Sequence, residues 1–306
     1  MNSPISGVYT AIITPFDKNG AVEEKTFATL IEKQLKAGIS GIVPCGTTGE
    51  SPTLSHKEHD RVIELTVDLV GGKGLVIAGT GSNSTDEAIR LSRHAMKAGA
   101  DAVLLVNPYY NKPTQQGLFL HFREIANSID IPCVLYNIKG RTGVNLETDT
   151  LVRLCEACPN IVGVKEASGD INQMKDVIKK TPSYFSVLSG DDNMTLELIR
   201  AGGHGVVSVA SNLIPEKMIT LVNAALKGDY ATAQSLDHEL GILFKATFLE
   251  TNPIPIKAAM SMAGLCLEKY RLPMCPLSSK AHRVRLREIL EELEIIGKQA
   301  IRAIAV

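Results

Sequence analysis

Eight short apolar runs, spread over the first two-thirds of the chain, constrain the fold more than any other feature of the sequence. They read GVYTAIITPF, GISGIVPCG, LVIAG, DAVLLVNP, IPCVLYN, IVGVKEA, FSVLSG and GVVSVAS. Each is rich in Val, Ile and Leu and nearly continuous rather than alternating, the pattern of parallel strands covered on both faces. Helical patterns lie between them. In VEEKTFATLIEKQLKAG, Phe27, Leu30, Ile31 and Leu35 share one face and Gly38 supplies the stop. KAGISGIV, KAGADAVL and RAGGHGVV repeat one unit: a basic last turn, a terminating Gly, then a strand. The cation complements the negative helix end, and Gly tolerates the left-handed turn. Strands and helices in this alternation predict an α/β fold, a closed (β/α)8 TIM barrel over residues 1–225, with an open doubly wound sheet as the alternative.

After SVASN the strand patterns stop, and from about residue 215 the chain reads as helices. In RVRLREILEELEIIGKQAI, Leu286, Ile289, Leu290, Leu293 and Ile296 form one apolar stripe among charged neighbours. Residues 226–306 are therefore expected to be a C-terminal helical region packed on the barrel or on another subunit. A net charge of -1 over 306 residues gives no global field toward nucleic acid or anionic membrane. No apolar run approaches the roughly 20 residues that span a bilayer. The first residues lack the charged start and apolar core of a secretion signal, so the expected location is the cytoplasm. Of six cysteines only Cys155 and Cys158 are close, in CEAC within a helix-like stretch, and no second pair or histidines follow at zinc spacing. Reduced, mostly buried thiols and no metal are expected.

Polar, Gly-rich or aromatic segments follow the strands: GTTGES, GTGSNS, NPYYN, YNIKGRTG, KEASGD and SGDD. In a (β/α)8 barrel these ends meet on one face, where active sites are built. Thr47, Thr48, Tyr110, Tyr136, Arg141, Lys165 and Gly190 are thereby expected to point into one cavity. Lys165 ends the apolar run IVGV, where an amine loses hydration, favouring its neutral, nucleophilic form. Such an amine condenses with a ketone or aldehyde to a Schiff base; the plainer reading is a lysine reaching for solvent or pairing with Glu166. Phenol hydroxyls donate and accept, so Tyr136 and Tyr110 with a threonine can relay protons. GTTGE reads as a loop opening a helix, whose N–H groups suit an anion, and a small carboxylate on Thr47 and Thr48 is the economical ligand. No P-loop is present, and GTGSNS lacks the third glycine of a dinucleotide site. Arg141 offers a planar fork for a second carboxylate. His56 and His59 lie at helical spacing without a third metal ligand, and His204 reads as structural.

The order ITPF, GTTGES, PYYNKP, YNIKGRTG, GVKEASG, LSGDD, GGHGVVSV, NPIPIK and RLPM resembles the dihydrodipicolinate synthase / N-acetylneuraminate lyase family along essentially the whole chain. The resemblance implies a pyruvate-dependent Schiff-base enzyme on a (β/α)8 barrel. It places the imine on Lys165 and the proton relay on Tyr136, Thr47 and Tyr110, the last borrowed from a neighbouring subunit. Pyruvate's carboxylate then lies on Thr48 with the adjacent backbone, and Gly190 and Val207 line the lysine's pocket. A borrowed tyrosine implies a homo-oligomer, a dimer or a dimer of dimers. Arg141 in RTG, together with GTTGE rather than GSTGE, matches the synthase branch, whose second substrate is aspartate semialdehyde and whose product is 4-hydroxy-tetrahydrodipicolinate. No cofactor is implied, because the imine is the electron sink. The family's site for inhibitory lysine falls on Ser51, His56, His59, Asn83, Glu87 and Tyr109, with Glu87 on the α-amino group and His56 at the ε-ammonium end. One departure is Lys139, where the family has proline; it frees the loop and adds charge near the second carboxylate, which implies an altered aldehyde affinity. Two other readings stay open: an aldolase or lyase of the same family acting on a sugar acid or 2-keto-3-deoxy acid, and a silent barrel that senses an amino acid.

Overall fold

The structure, a computed structural model, describes residues 5–297. Eight parallel strands close into a barrel in sequence order: β1 (Gly7–Ala11), β2 (Gly41–Val43), β3 (Leu75–Gly79), β4 (Ala102–Val106), β5 (Cys133–Asn137), β6 (Ile161–Glu166), β7 (Ser186–Ser189) and β8 (Gly205–Ser208). Around them run α1 (Glu24–Ala37), α2 (His56–Val70), α3 (Thr85–Ala98), α4 (Gln115–Asn127), the single turn α5 (Lys139–Thr142), α6 (Thr148–Ala157), α7 (Ile171–Lys180), α8 (Thr195–Arg200) and α9 (Pro215–Leu226). This is the (β/α)8 barrel expected from the apolar runs, and the open sheet is set aside.

The ring closes where β8 pairs with β1, Gly205 opposite Gly7. A Cβ on Gly205 would stand 2.0 Å from the Gly7 carbonyl oxygen, so the seam requires glycine there. Inside the barrel Tyr9, Val43, Leu104, Tyr136, Leu188 and Val207 pack together, while a larger apolar layer lies between strands and helices. Alternation along β6 decides which side chain enters which layer. Lys165 turns inward beside Tyr136, its register partner on β5, and Glu166 turns outward.

Beyond α9 the chain adds α10 (Tyr230–Ala246), α11 (Ile254–Met262) and α12 (Lys280–Glu292). Leu286, Ile289, Leu290 and Leu293 are buried as the stripe predicts, and Ile296 is half-buried. The helix itself stops at Glu292, and the end of the predicted segment, from residue 298, lies outside the described residues. In α1 the buried face is Phe27, Leu30, Ile31 and Gln34, with Leu35 only half-buried. Gln34 enters the core because its amide is satisfied at both ends, accepting from Thr10 Oγ1 at 2.8 Å and donating to the Ser211 carbonyl at 2.8 Å. Cys155 lies in α6 and Cys158 just past its end, both buried and free. No helix among the described residues is long and apolar enough to cross a membrane.

Candidate active site

Lys165 is only 5% exposed, at the carboxyl end of β6. Its Nζ lies 4.2 Å from the centroid of the Tyr136 ring, a contact set by the strand register. Glycine at 190 makes room for it: a Cβ there would stand 3.1 Å from Lys165 Cε and 2.6 Å from Ala167 Cβ. Val207 is buried in the same interior cluster as Tyr136. Asp191 follows Gly190; burial raises its carboxyl above the usual range, and the charge of Lys165 opposes that rise. Glu166 makes no pair with Lys165. It accepts from Asn137 Nδ2, Gln173 Nε2 and the Ser168 N–H (2.7 Å), and burial raises its carboxyl. This outward network ties the ends of β5 and β6 together behind the two inward side chains.

The Gly46–Glu50 segment is a tight turn followed by a short 3₁₀ helix, Ser51–Thr53, rather than the start of an α-helix. Thr47 accepts on its carbonyl from the Glu50 N–H, and Gly46 accepts from Gly49 and Ser51. The Thr47 and Thr48 N–H groups make no main-chain hydrogen bond among the described residues. These two N–H groups thus stay open without the α-helix that the Gly-rich loop suggested. Thr48 is buried, and its hydroxyl accepts from Asn252 Nδ2 at 3.0 Å. The Asn252 carbonyl in turn accepts from Arg141 Nη2 at 3.1 Å. Asn252 thus touches residues of both expected carboxylate sites, a role that residue type and position alone did not single out.

A cavity of about 460 Å³ opens at this face. Cys45, Thr47, Tyr136 and Arg141 line it together with Ser51, His56, His59, Glu87 and Tyr109. Residues proposed for chemistry and for an effector thus share one continuous space. Lys165, Thr48, Gly190 and Val207 lie outside that lining, and Asn83 does too. Tyr110 does not point into the chain's own cavity: it is 91% exposed, at φ 74, and the Asn111 N–H donates to the Tyr109 carbonyl across it at 2.9 Å. This strained γ-turn presents the phenol to the exterior.

Glu87 accepts from Ser82 Oγ and lies 2.8 Å from His56 Nε2, and these two partners, the serine first, hold its carboxyl below the usual range. His59 donates from Nε2 to the Gly79 carbonyl at 2.9 Å, and burial lowers its pKa to about 4. His204 serves structure, its Nδ1 accepting from the Val187 N–H. Among the described residues no cluster of three or more His, Cys, Asp or Glu side chains is placed to hold a metal.

A buried amine beneath an aromatic ring stands at the carboxyl face of a closed parallel barrel, the face where a (β/α)8 enzyme builds its active site. The chain belongs to the dihydrodipicolinate synthetase family, whose model matches residues 4–293. It is 52% identical over 291 residues to a 4-hydroxy-tetrahydrodipicolinate synthase of Endomicrobium trichonymphae, covering 95% of this chain and 99% of that one. Among solved structures it is similar to a pyruvate complex of the chloride-inhibited dihydrodipicolinate synthase of Acinetobacter baumannii. There the identity is 43%, the TM-score 0.93, and the cover 95% of this chain and 100% of that one. A lysine-bound dihydrodipicolinate synthase from Cyanidioschyzon merolae matches at 40% identity and TM-score 0.93, over 95% of this chain and 99% of that one.

Proposed function

We infer that this protein condenses pyruvate with aspartate semialdehyde to 4-hydroxy-tetrahydrodipicolinate through an imine on Lys165. The observation that carries the mechanism is the inward, buried Lys165 in register with Tyr136. Its amine attacks the pyruvate ketone, and the carbinolamine loses water to give the imine. Loss of a methyl proton gives the enamine, whose carbon bonds to the aldehyde carbon; the semialdehyde's own amino group then displaces Lys165 as the ring closes. Tyr136, Thr47 and a partner subunit's Tyr110 relay the protons. The free N–H groups at Thr47 and Thr48 receive pyruvate's carboxylate, and Arg141 receives that of the semialdehyde. The iminium nitrogen withdraws electrons from the new carbanion, so the chemistry needs no metal or organic cofactor.

The exposed Tyr110 supports a homo-oligomer in which each site is completed by its neighbour. Lysine is the effector we assign to Ser51, His56, His59, Asn83, Glu87 and Tyr109. The ionised Glu87 suits its α-amino group, and the lysine-bound relative supports the ligand. Six free cysteines support work in the reducing cytoplasm. Reductive trapping with borohydride tests the imine directly: pyruvate is expected on Lys165, and turnover with aspartate semialdehyde but not with N-acetylmannosamine. Trapping without semialdehyde turnover would move the protein to the sugar-acid branch of its family.

A further inference from the structure

The turn that carries the Thr47 and Thr48 N–H groups is contacted by three residues of the C-terminal region, Asn252, Lys257 and Arg271. Glu50 closes that turn, is 2% exposed, and sits in the left-handed region at φ 53. Lys257, fully buried on α11, donates to one of its carboxylate oxygens, and the Arg271 N–H donates to the other at 3.2 Å. Two aromatic rings flank Lys257, its Nζ lying 4.3 Å from the Phe16 centroid and 5.3 Å from that of Tyr270, and the Arg271 guanidinium stacks on the same Phe16 ring at 4.5 Å. The Arg271 guanidinium continues outward to the Gly20 and Thr53 carbonyls and to Glu58. Asn252, just before α11, meets the same turn at Thr48.

A residue that is not glycine stays in the left-handed region only where its surroundings over-determine it. Apolar side chains of similar volume could fill this site at little loss of stability beyond the Arg271 N–H left without its acceptor, because the attraction of a buried pair does little more than offset its desolvation. What an apolar pair lacks is direction. The carboxylate must sit where the Lys257 ammonium and the Arg271 N–H converge, and the backbone three residues after Thr47 follows it. We propose that Glu50 and Lys257 are positioning residues for pyruvate, their buried pair fixing the turn so that the Thr47 and Thr48 N–H groups face the substrate carboxylate. The inference rests on the imine reading of Lys165.

The test is the pyruvate dependence of borohydride trapping at Lys165, measured beside thermal unfolding. In Glu50→Leu/Lys257→Met, which leaves no unpaired charge, half-saturating pyruvate is expected to rise roughly tenfold or more while the trapped yield at saturation stays within about threefold. Lys257→Arg keeps the charge but alters its reach, and is expected to shift half-saturation in the same direction by a smaller factor, which keeps the test open if the double variant does not fold. Leu290→Ala, in the core of α12, is expected to lower Tm with no change in half-saturation. Wild-type half-saturation in either folded pair variant would overturn the proposal. Absence of any adduct in the wild type would instead remove the imine reading on which it stands.

Discussion

Lys165 lies under the Tyr136 ring because the two are opposite each other on neighbouring strands, and Gly190 is small because the lysine passes beside it. Lys165→Met is expected to abolish pyruvate trapping in a folded protein. Gly190→Ala forces a methyl against Ala167 and the lysine stem, and should lower kcat/KM for pyruvate about hundredfold, in keeping with ångström-scale misplacement of a reacting group. If Arg141 receives the semialdehyde carboxylate as proposed, Arg141→Ala is expected to raise the semialdehyde KM at least tenfold and leave pyruvate trapping unchanged. Steady-state kinetics with each substrate varied would check both. The buried histidines carry a pH consequence. Burial holds His121 neutral down to about pH 4, whereas an unperturbed imidazole takes its proton near 6.5. Between those values the unfolded chain binds more protons, so stability falls as pH drops through that window. In His121→Phe the decline of Tm from pH 6.5 to 4 should be shallower; an identical slope would show that the proton uptake lies elsewhere.

At the scale of elements, strands were readable because a strand covered on both faces is apolar over most of its length, and helix ends because Gly38 and Gly99 take left-handed φ values of 85 and 94. Gln34 was not readable as core, because hydrophobic spacing cannot see that Thr10 and Ser211 satisfy an amide. Asn252 and the Glu50–Lys257 pair escaped for a related reason. NPIPIK showed a lysine in an apolar stretch, but its partner lies some two hundred residues earlier, a distance that local pattern cannot bridge. The turn at GTTGE differs from its expected helix because Cys45 and Glu50 both take positive φ. Removing one member of the buried pair, as in Lys257→Met alone, should cost about 3–5 kcal/mol, read from denaturant unfolding, and more than the double replacement costs. Lys139 occupies the first position of α5, where proline is well tolerated. Lys139→Pro is expected to add about 0.4–1 kcal/mol of stability and to change the semialdehyde KM, while pyruvate trapping stays as it was.

For the molecule as a whole, the barrel followed from counting strands, whereas the placement of Tyr110 needed the backbone. Its residue type and position suggested the chain's own cavity and the family resemblance a neighbour's site; the γ-turn at residue 110 turns it outward. A subunit-mixing experiment separates a shared site from a self-contained one. Tyr110→Phe and Lys165→Met are each expected to be weakly active or inactive. Mixed under conditions that exchange subunits, they should regain activity, because a Lys165 site can then receive a tyrosine from its neighbour. No recovery in verified mixed oligomers would mean that Tyr110 serves its own chain or none.

The glycine seam between β8 and β1 sets a timetable for the ribosome. β1 ends at Ala11, and the strand that closes its far edge ends at Ser208. At about 5–20 residues per second, that edge waits roughly ten to forty seconds for its partner to be made. Throughout that interval an apolar strand offers unpaired N–H and C=O groups to neighbouring nascent chains. Rapid overexpression should therefore send this protein into inclusion bodies, and fewer ribosomes per message, or a chaperone holding the amino-terminal strand, should return it to solution.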